Sequence, residues 1–192
     1  MKKIIEQRFK EHIAVSSKSL LECQDQIIKV SNLLIEVLES GNKLLICGNG
    51  GSAADSQHFA AELVSSFSKN KNRNGIPAIA LTTDTSVITA YSNDFDFEGI
   101  FARQVNALGF PGDCLVVLST SGNSKNCIKA VEEAKAKGLR TVALLGDSGL
   151  LRNLADQVIS VPSSNTQNIQ EMHILTYHIL SELIEEVLFP SK

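Results

Sequence analysis

Proline is scarce in this 192-residue chain, 4 residues against 12 glycines, and neither residue forms a periodic run. Collagen-like and proline-rich low-complexity architectures are thereby excluded. Long apolar runs are missing as well: the longest, Cys114 to Leu118, falls far short of the ~20 residues that a membrane-crossing helix needs. The first residues include Lys2 and Lys3, but an amphipathic pattern carrying Glu6, Lys10 and Glu11 follows, with no apolar signal core or small-residue cleavage site. The cysteines Cys23, Cys47, Cys114 and Cys127 lack C-x-x-C spacing, and two of them lie inside apolar runs, so they read as reduced thiols serving as small hydrophobes. Positive charge is not in excess either. With 18 Lys+Arg against 21 Asp+Glu the formal net charge is −3, and a pI near 5.8 argues against a nucleic-acid footprint. The only basic cluster, Lys69, Lys71 and Arg73, is spaced by asparagine and reads as a solvated loop. These absences together predict a cytoplasmic protein that binds neither membrane nor nucleic acid directly.

What is present is an ordinary globular balance, 43% hydrophobic and 20% charged residues, long enough for one domain over 1–192 that buries about 70% of its unfolded surface. Residues 1–41 read as helix throughout: Ile4, Ile5, Phe9 and Ile13 recur at helical spacing, as do Ile27, Val30, Leu34, Val37 and Leu38, before Ser40-Gly41-Asn42 supplies a stop. That pattern predicts an N-terminal helical hairpin. Over 42–192 the period changes. Leu44 to Cys47, Pro77 to Leu81, Cys114 to Leu118, Thr141 to Leu145 and Val158 to Val161 are short β-rich runs separated mostly by helical patterns, and Gln167 to Leu188 reads as a closing helix. Uniformly apolar strands alternating with helices predict βαβ units, hence an α/β fold: a three-layer α/β/α sandwich on a roughly five-stranded parallel sheet. The apolar face of the N-terminal helices would pack on a sister subunit or on the sheet.

Ligands of open parallel sheets bind outside the carboxyl ends of the strands, and two loops fit that position. Gly48-Asn49-Gly50-Gly51-Ser52 leaves the first strand and opens a helix, with Ser52 available as its cap. It is neither G-x-G-x-x-G nor a P-loop, so a dinucleotide site is poorly supported, and a tight turn alone would also account for it. Ser119-Thr120-Ser121-Gly122-Asn123-Ser124 follows the third strand and places four hydroxyls before a helix. Helix N-termini hold phosphate through unpaired N–H groups and a partial positive charge. Ordinary N-capping explains one of these hydroxyls but not four.

On the helix after the glycine loop, His58 and Glu62 are four apart and share a face. An imidazole beside a carboxylate at the substrate end of a sheet is an acid–base or metal pair; on an outer face it is a solvated ion pair. On the closing helix Gln170 and His178 are eight apart, roughly 80° around the axis. Glu171, seven residues before His178, is better aligned with it, and His173 lies on another face and reads as structural or surface-bound.

The two loops resemble the sugar-isomerase (SIS) fold, whose members bind phosphosugars. The resemblance spans nearly the whole chain and narrows to the bacterial phosphoheptose isomerase family through Gln57-His58-Phe59-Ala60-Ala61-Glu62-Leu63, Ser92-Asn93-Asp94-Phe95 and Ile169-Gln170-Glu171-Met172-His173. It implies an aldose–ketose isomerase interconverting D-sedoheptulose 7-phosphate and D-glycero-D-manno-heptose 7-phosphate through an enediol, the first step toward the ADP-heptose of the lipopolysaccharide core. It also implies a zinc site of His58, Glu62, Gln170 and His178, with Glu62 moving the carbon-bound proton and His178 the oxygen-bound ones. Metal ligation and base duty compete at Glu62, because a carboxylate on zinc is the weaker base. Asn49, Gly50, Gly51, Ser52, Asn93, Asp94, Glu62 and Gln170 would contact the sugar, and Ser119, Thr120, Ser121 and Ser124 the phosphate. The family forms homotetramers with sites shared between subunits. Two departures stand out: Ser66 and Asn168 occupy positions where the family carries arginine. The chain is also similar to DiaA, a non-enzymatic relative that binds the replication initiator DnaA, in Leu188-Phe189-Pro190, Glu171-Met172-His173 and Thr82-Thr83-Asp84. That relative lacks the helical glutamate and the closing-helix histidine, both present here as Glu62 and His178. A sugar-phosphate sensor on the same fold is a third reading, which would keep the serine loop and tolerate loss of Glu62.

Overall fold

The structure, a computed structural model, describes residues 1–69 and 71–190; Asn70, within the basic cluster, lies outside the described residues. Helices α1 (Lys2–Glu22) and α2 (Gln24–Glu39) lead into β1 (Leu44–Gly48), α3 (Gly51–Val64), β2 (Ala78–Ala80) and α4 (Thr85–Asp94). A 3₁₀ turn at Phe97–Gly99 precedes α5 (Ile100–Leu108), β3 (Cys114–Ser119), α6 (Lys125–Ala136), β4 (Arg140–Leu145), α7 (Leu151–Leu154), β5 (Gln157–Ser160) and α8 (Thr166–Leu188). All strand pairs are parallel, in the order β2-β1-β3-β4-β5. The expected α/β/α sandwich with five strands is what the chain forms.

The uniformly apolar strands have their reason in two cores. Leu44, Ile46, Cys114, Val116, Leu118, Val142 and Leu144 face α2, α3 and α8. Their alternates Leu45, Cys47, Leu115, Val117, Ala143 and Leu145 face α5 and α6. With helices on both sides, every residue of β1 and β3 is buried. Pro77 is tolerated because it precedes β2, an edge strand, and its carbonyl still accepts from Leu44 N at 3.0 Å. Side-chain caps start two helices: Asp84 accepts from Val87 N on α4, and Asn165 from Asn168 N on α8. All four cysteines are free and buried, as their apolar settings predict. Among the described residues no helix is long and apolar enough to cross a membrane.

The N-terminal hairpin is corrected at one joint. Only Cys23 separates α1 from α2, with right-handed helical backbone (φ −104°, ψ −8°), and Cys23 N→Ser19 O and Ile27 N→Cys23 O continue the helical ladder through it. A reversal needs a loop of at least about two residues, so the segment is one bent helix. It buries α2 against the sheet but no residue of α1.

His173 is structural and lies wholly inside the protein rather than on its surface. Its Nε2–H donates to Leu145 O at 3.3 Å, while Nδ1 is buried without a partner, as only the neutral ring can tolerate. Burial depresses its pKa to about 4, against an ordinary value of 6.5, despite the countering bond to Leu145. Between those values only the unfolded chain takes up the proton, so the stability this ring protects is present above pH 6.5 and is lost as pH falls to 4. We expect denaturant unfolding to lose about 3 kcal/mol over that window, a slope that His173→Gln should flatten.

Candidate active site

The order of the sheet reverses between β1 and β3, which are neighbours although β2 lies between them in the chain. That switch point is where a crevice opens at the carboxyl rim of an open α/β sheet. The glycine and serine loops both leave from it, since Gly48 and Leu118 are register partners. Gly48 has no alternative: a Cβ there would lie 2.8 Å from Leu118 O and 2.7 Å from Ser52 O. Beyond it the loops are joined by paired amides, Asn49 Nδ2→Asn126 Oδ1 and Asn126 Nδ2→Asn49 Oδ1, both 2.8 Å. The Asn49 side chain is thereby held in one orientation at the mouth of the glycine loop. Ser52 is likewise not a cap: Gly50 takes the N-cap position of α3, with no side-chain capping bond, and Ser52 is buried one position inside the helix.

Capping also fails to account for the serine loop. Ser124 is the N-cap residue of α6, yet its side chain makes no capping bond. Its hydroxyl instead shares a 3.2 Å hydrogen bond with Ser119 Oγ, and Ser121 Oγ accepts from Asn123 N. Hydroxyls gathered at a helix start without capping it suit an anion. Thr120 is half-buried and Ser121 exposed on the same loop.

Three candidates meet where α3 packs on α8. His58 Nε2 is 2.9 Å from Glu62 Oε1, the His58 and His178 rings are edge-to-face at 5.0 Å, and one ligand atom from each of the three residues lies within 4.8 Å of the others. The carboxylate and imidazole therefore come from a single chain. With the His58 side chain 45% exposed, an ion pair of this kind contributes at most ~1 kcal/mol, too little to explain the cluster as a stabilising device. His58 Nδ1 is hydrogen-bonded to the Tyr177 hydroxyl at 2.8 Å, which orients the ring as partners of metal-ligating histidines do. Two nitrogens and a carboxylate oxygen form a donor set that fits zinc with a position left open.

Gln170, the fourth residue of the expected metal set, approaches the start of α3 from α8. A Cβ on Gly51 would lie 2.6 Å from Gln170 Nε2, so the amide covers the start of α3, about 10 Å along that helix from His58. Glu171, which helical spacing alone favours, turns instead to α1 and bonds His12 at 2.7 Å. Asn93 and Asp94 close α4 on the surface, with Asn93 Nδ2 donating to Asp94 Oδ1 at 2.9 Å, and the structure does not bond them to the other candidates among the described residues.

Several contributors carried no sequence signal. Tyr177 is fully buried, and burial, with Asp55 and Glu62 nearby, pushes its pKa well up. Asp55 is raised by burial against the opposing effect of His58; its place one turn before His58 was a usable hint. The basic cluster also needs correction, since it is not a solvated loop. Arg73 and Glu185 form a 2.6 Å ion pair with side chains 1% and 2% exposed. Arg73 further donates to the carbonyls of Glu62 and Leu63 at the end of α3, while Glu185 accepts from Phe67 N and Ser68 N. With each end satisfied the pair is tolerable, and removing one partner would cost roughly 3–5 kcal/mol. Ser66, at a position where the resemblance expects arginine, closes a turn onto Ser68 O. A guanidinium nonetheless reaches this loop from Arg73, seven residues on. Asn168, at the other such position, is buried in the first turn of α8.

The SIS domain family profile matches residues 8–146. A phosphoheptose isomerase of Trichlorobacter lovleyi is 49% identical over 190 residues, 98% of this chain and 96% of the relative. One of Helicobacter pylori is 50% identical over 183 residues, 95% of this chain and 94% of the relative. Among solved structures, the phosphoheptose isomerase GmhA of Neisseria gonorrhoeae superposes with a TM-score of 0.91 at 39% identity, covering 96% of this chain and 98% of its own.

Proposed function

The chain belongs to the phosphoheptose isomerase family of SIS-domain proteins, and from that premise we propose that it interconverts sedoheptulose 7-phosphate and D-glycero-D-manno-heptose 7-phosphate, an early step toward the heptose of lipopolysaccharide. The observation that carries the reading is the meeting of Glu62, His58 and His178 at the α3–α8 seam of a fold whose two rim loops suit a phosphosugar. The non-enzymatic reading has nothing comparable in its favour, because a pure binding module has no use for a gathered carboxylate and imidazole.

The serine loop and the start of α6 hold the phosphate: Ser119, Thr120, Ser121 and Ser124 donate neutral hydrogen bonds while the helix terminus offsets the charge. Gln170, above Gly51, and the backbone of the glycine loop meet the sugar hydroxyls, with Ser52 beneath and Asn93 and Asp94 as further hydroxyl partners. Aldose–ketose exchange requires a proton to leave the carbon beside the carbonyl and return to its neighbour while another crosses between the oxygens. Glu62 carries the carbon-bound proton and His178 the oxygen-bound ones. His58, held by Tyr177, keeps the Glu62 carboxylate oriented. Zinc held by His58, Glu62, Gln170 and His178 would supply Lewis-acid stabilisation of the charge on the enediol oxygens.

We further propose a cytoplasmic homotetramer. Ile4, Ile5, Phe9 and Ile13 on α1 are exposed, Phe9 by 64%, and an apolar groove of about 560 Å³ between the bent N-terminal helix and α8 is lined by Leu20, Ile27, Met172, Leu175 and Ile179. Apolar surface of this extent marks an interface.

Purified protein should convert sedoheptulose 7-phosphate to an aldose phosphate, and Glu62→Gln or His178→Ala should each lower kcat by 10²–10⁴-fold with the circular dichroism spectrum intact; undiminished turnover in both would remove the assignment. Chelated protein titrated with zinc should saturate at one ion per chain in calorimetry, and His58→Ala should abolish that binding. Light scattering should return the mass of four chains, and Phe9→Asp should lower it.

A further inference from the structure

The paired amides of Asn49 and Asn126 tie together two loops just beyond the strand ends, where Gly48 and Leu118 are register partners. Asn126 is 3% exposed and lies in the first turn of α6, two residues beyond Ser124. Asn49 lies two residues before Gly51, where α3 begins. The orientation of the Asn126 amide follows from its other bond, since its Oδ1 also accepts from Cys127 N at 2.9 Å, which leaves Nδ2 for Asn49 Oδ1. The remaining capacity of Asn49 Nδ2 is directed at Cys127 Sγ, 3.8 Å away. Two antiparallel N–H···O bonds between planar groups fix both separation and rotation, as a single hydrogen bond cannot. The backbone of Asn49 is held as well, its carbonyl accepting from Ser52 N at 3.0 Å. Position by position, the amide pair couples the helix start that carries the serine hydroxyls to the helix start that carries Gly51 and its cover, Gln170.

We propose that Asn126, through Asn49, is a positioning residue that sets the span between the phosphate subsite and the sugar subsite. The proposal rests on the functional reading that these loops share one phosphosugar. A ligand that touches only the serine loop is indifferent to this span, whereas a ligand that bridges both loops depends on it. The residue acts on binding of the whole substrate and not on the phosphate contacts themselves.

The test is a double-mutant cycle with two ligands, read by calorimetry on the full chain. Asn49→Ala and Asn126→Ala should each weaken sedoheptulose 7-phosphate about tenfold, and the double variant should be no weaker than either single, as residues acting through one shared contact are non-additive. Inorganic phosphate should bind all four proteins within about twofold of one another. Equal weakening of both ligands would place the effect at the phosphate contacts and overturn the proposal, as would additive losses in the cycle. If a variant does not fold, side-chain amide exchange in the unmutated protein decides: slow exchange of both Asn49 and Asn126 NH₂ groups supports the clamp, and solvent-like exchange overturns it. Failure of the unmutated chain to bind the heptulose phosphate while it binds phosphate would overturn the functional reading instead, with the exchange measurement still deciding the clamp.

Discussion

Phe59 and Tyr177 stack in the core between α3 and α8, ring centroids 5.4 Å apart and planes inclined by 21°. Both are fully buried, and each large aromatic placed this way fixes the rotation of its helix about its own axis, because no other turn of the helix would bury it. The sequence neighbours of that pair are His58 and His178. Once the stack is set, the two imidazoles emerge together at the rim of the seam, and Glu62, one turn after His58, follows. The Tyr177 hydroxyl then reaches out of the core to His58 Nδ1. One apolar contact thus supplies both the packing and the geometry of the clustered imidazoles and carboxylate.

The far end of the same seam is held by charge. Arg73 closes the carbonyl end of α3 and binds Glu185 on α8, two turns beyond His178. Glu185 also anchors Phe67 N, whose ring lies 5.8 Å from that of His178. A buried pair is a poor source of net stability. Its value here is directional: it sets where the loop after α3 crosses α8 and therefore what wall the imidazole meets. At the opposite end the paired asparagines do the same for the two rim loops. The site lies between a polar lock at each end and an aromatic stack beneath it.

The N-terminal helix stands outside this economy. With no buried residue of its own, α1 contributes little to the single-chain core beyond Val15, which packs against Val161, Ile169 and Met172. Its contact with the site-bearing helix is nevertheless direct, through His12 and Glu171, so an assembly built on α1 would bear on the same helix that carries Gln170 and His178.

Much of this was legible in the chain alone. The strands were readable because a parallel sheet covered on both faces demands continuous apolar runs, and Leu44, Cys114 and Thr141 begin such runs. The loops were readable because glycines and clustered hydroxyls are used where backbone must approach a ligand. His58 and Glu62 were readable together because helical periodicity is a local property. The bend at Cys23 was not, since a helix that continues through one residue leaves the same pattern as a helix that turns back. Tyr177, Asn126 and Arg73 were not, because their partners lie 119, 77 and 112 residues away. Local sequence determined the elements, their order and the chemical inventory of the rim. Which helix faced which, whether an amide was free or paired, and whether an arginine was solvated or buried were decided by tertiary packing, since each depends on groups that only the folded chain brings within contact distance.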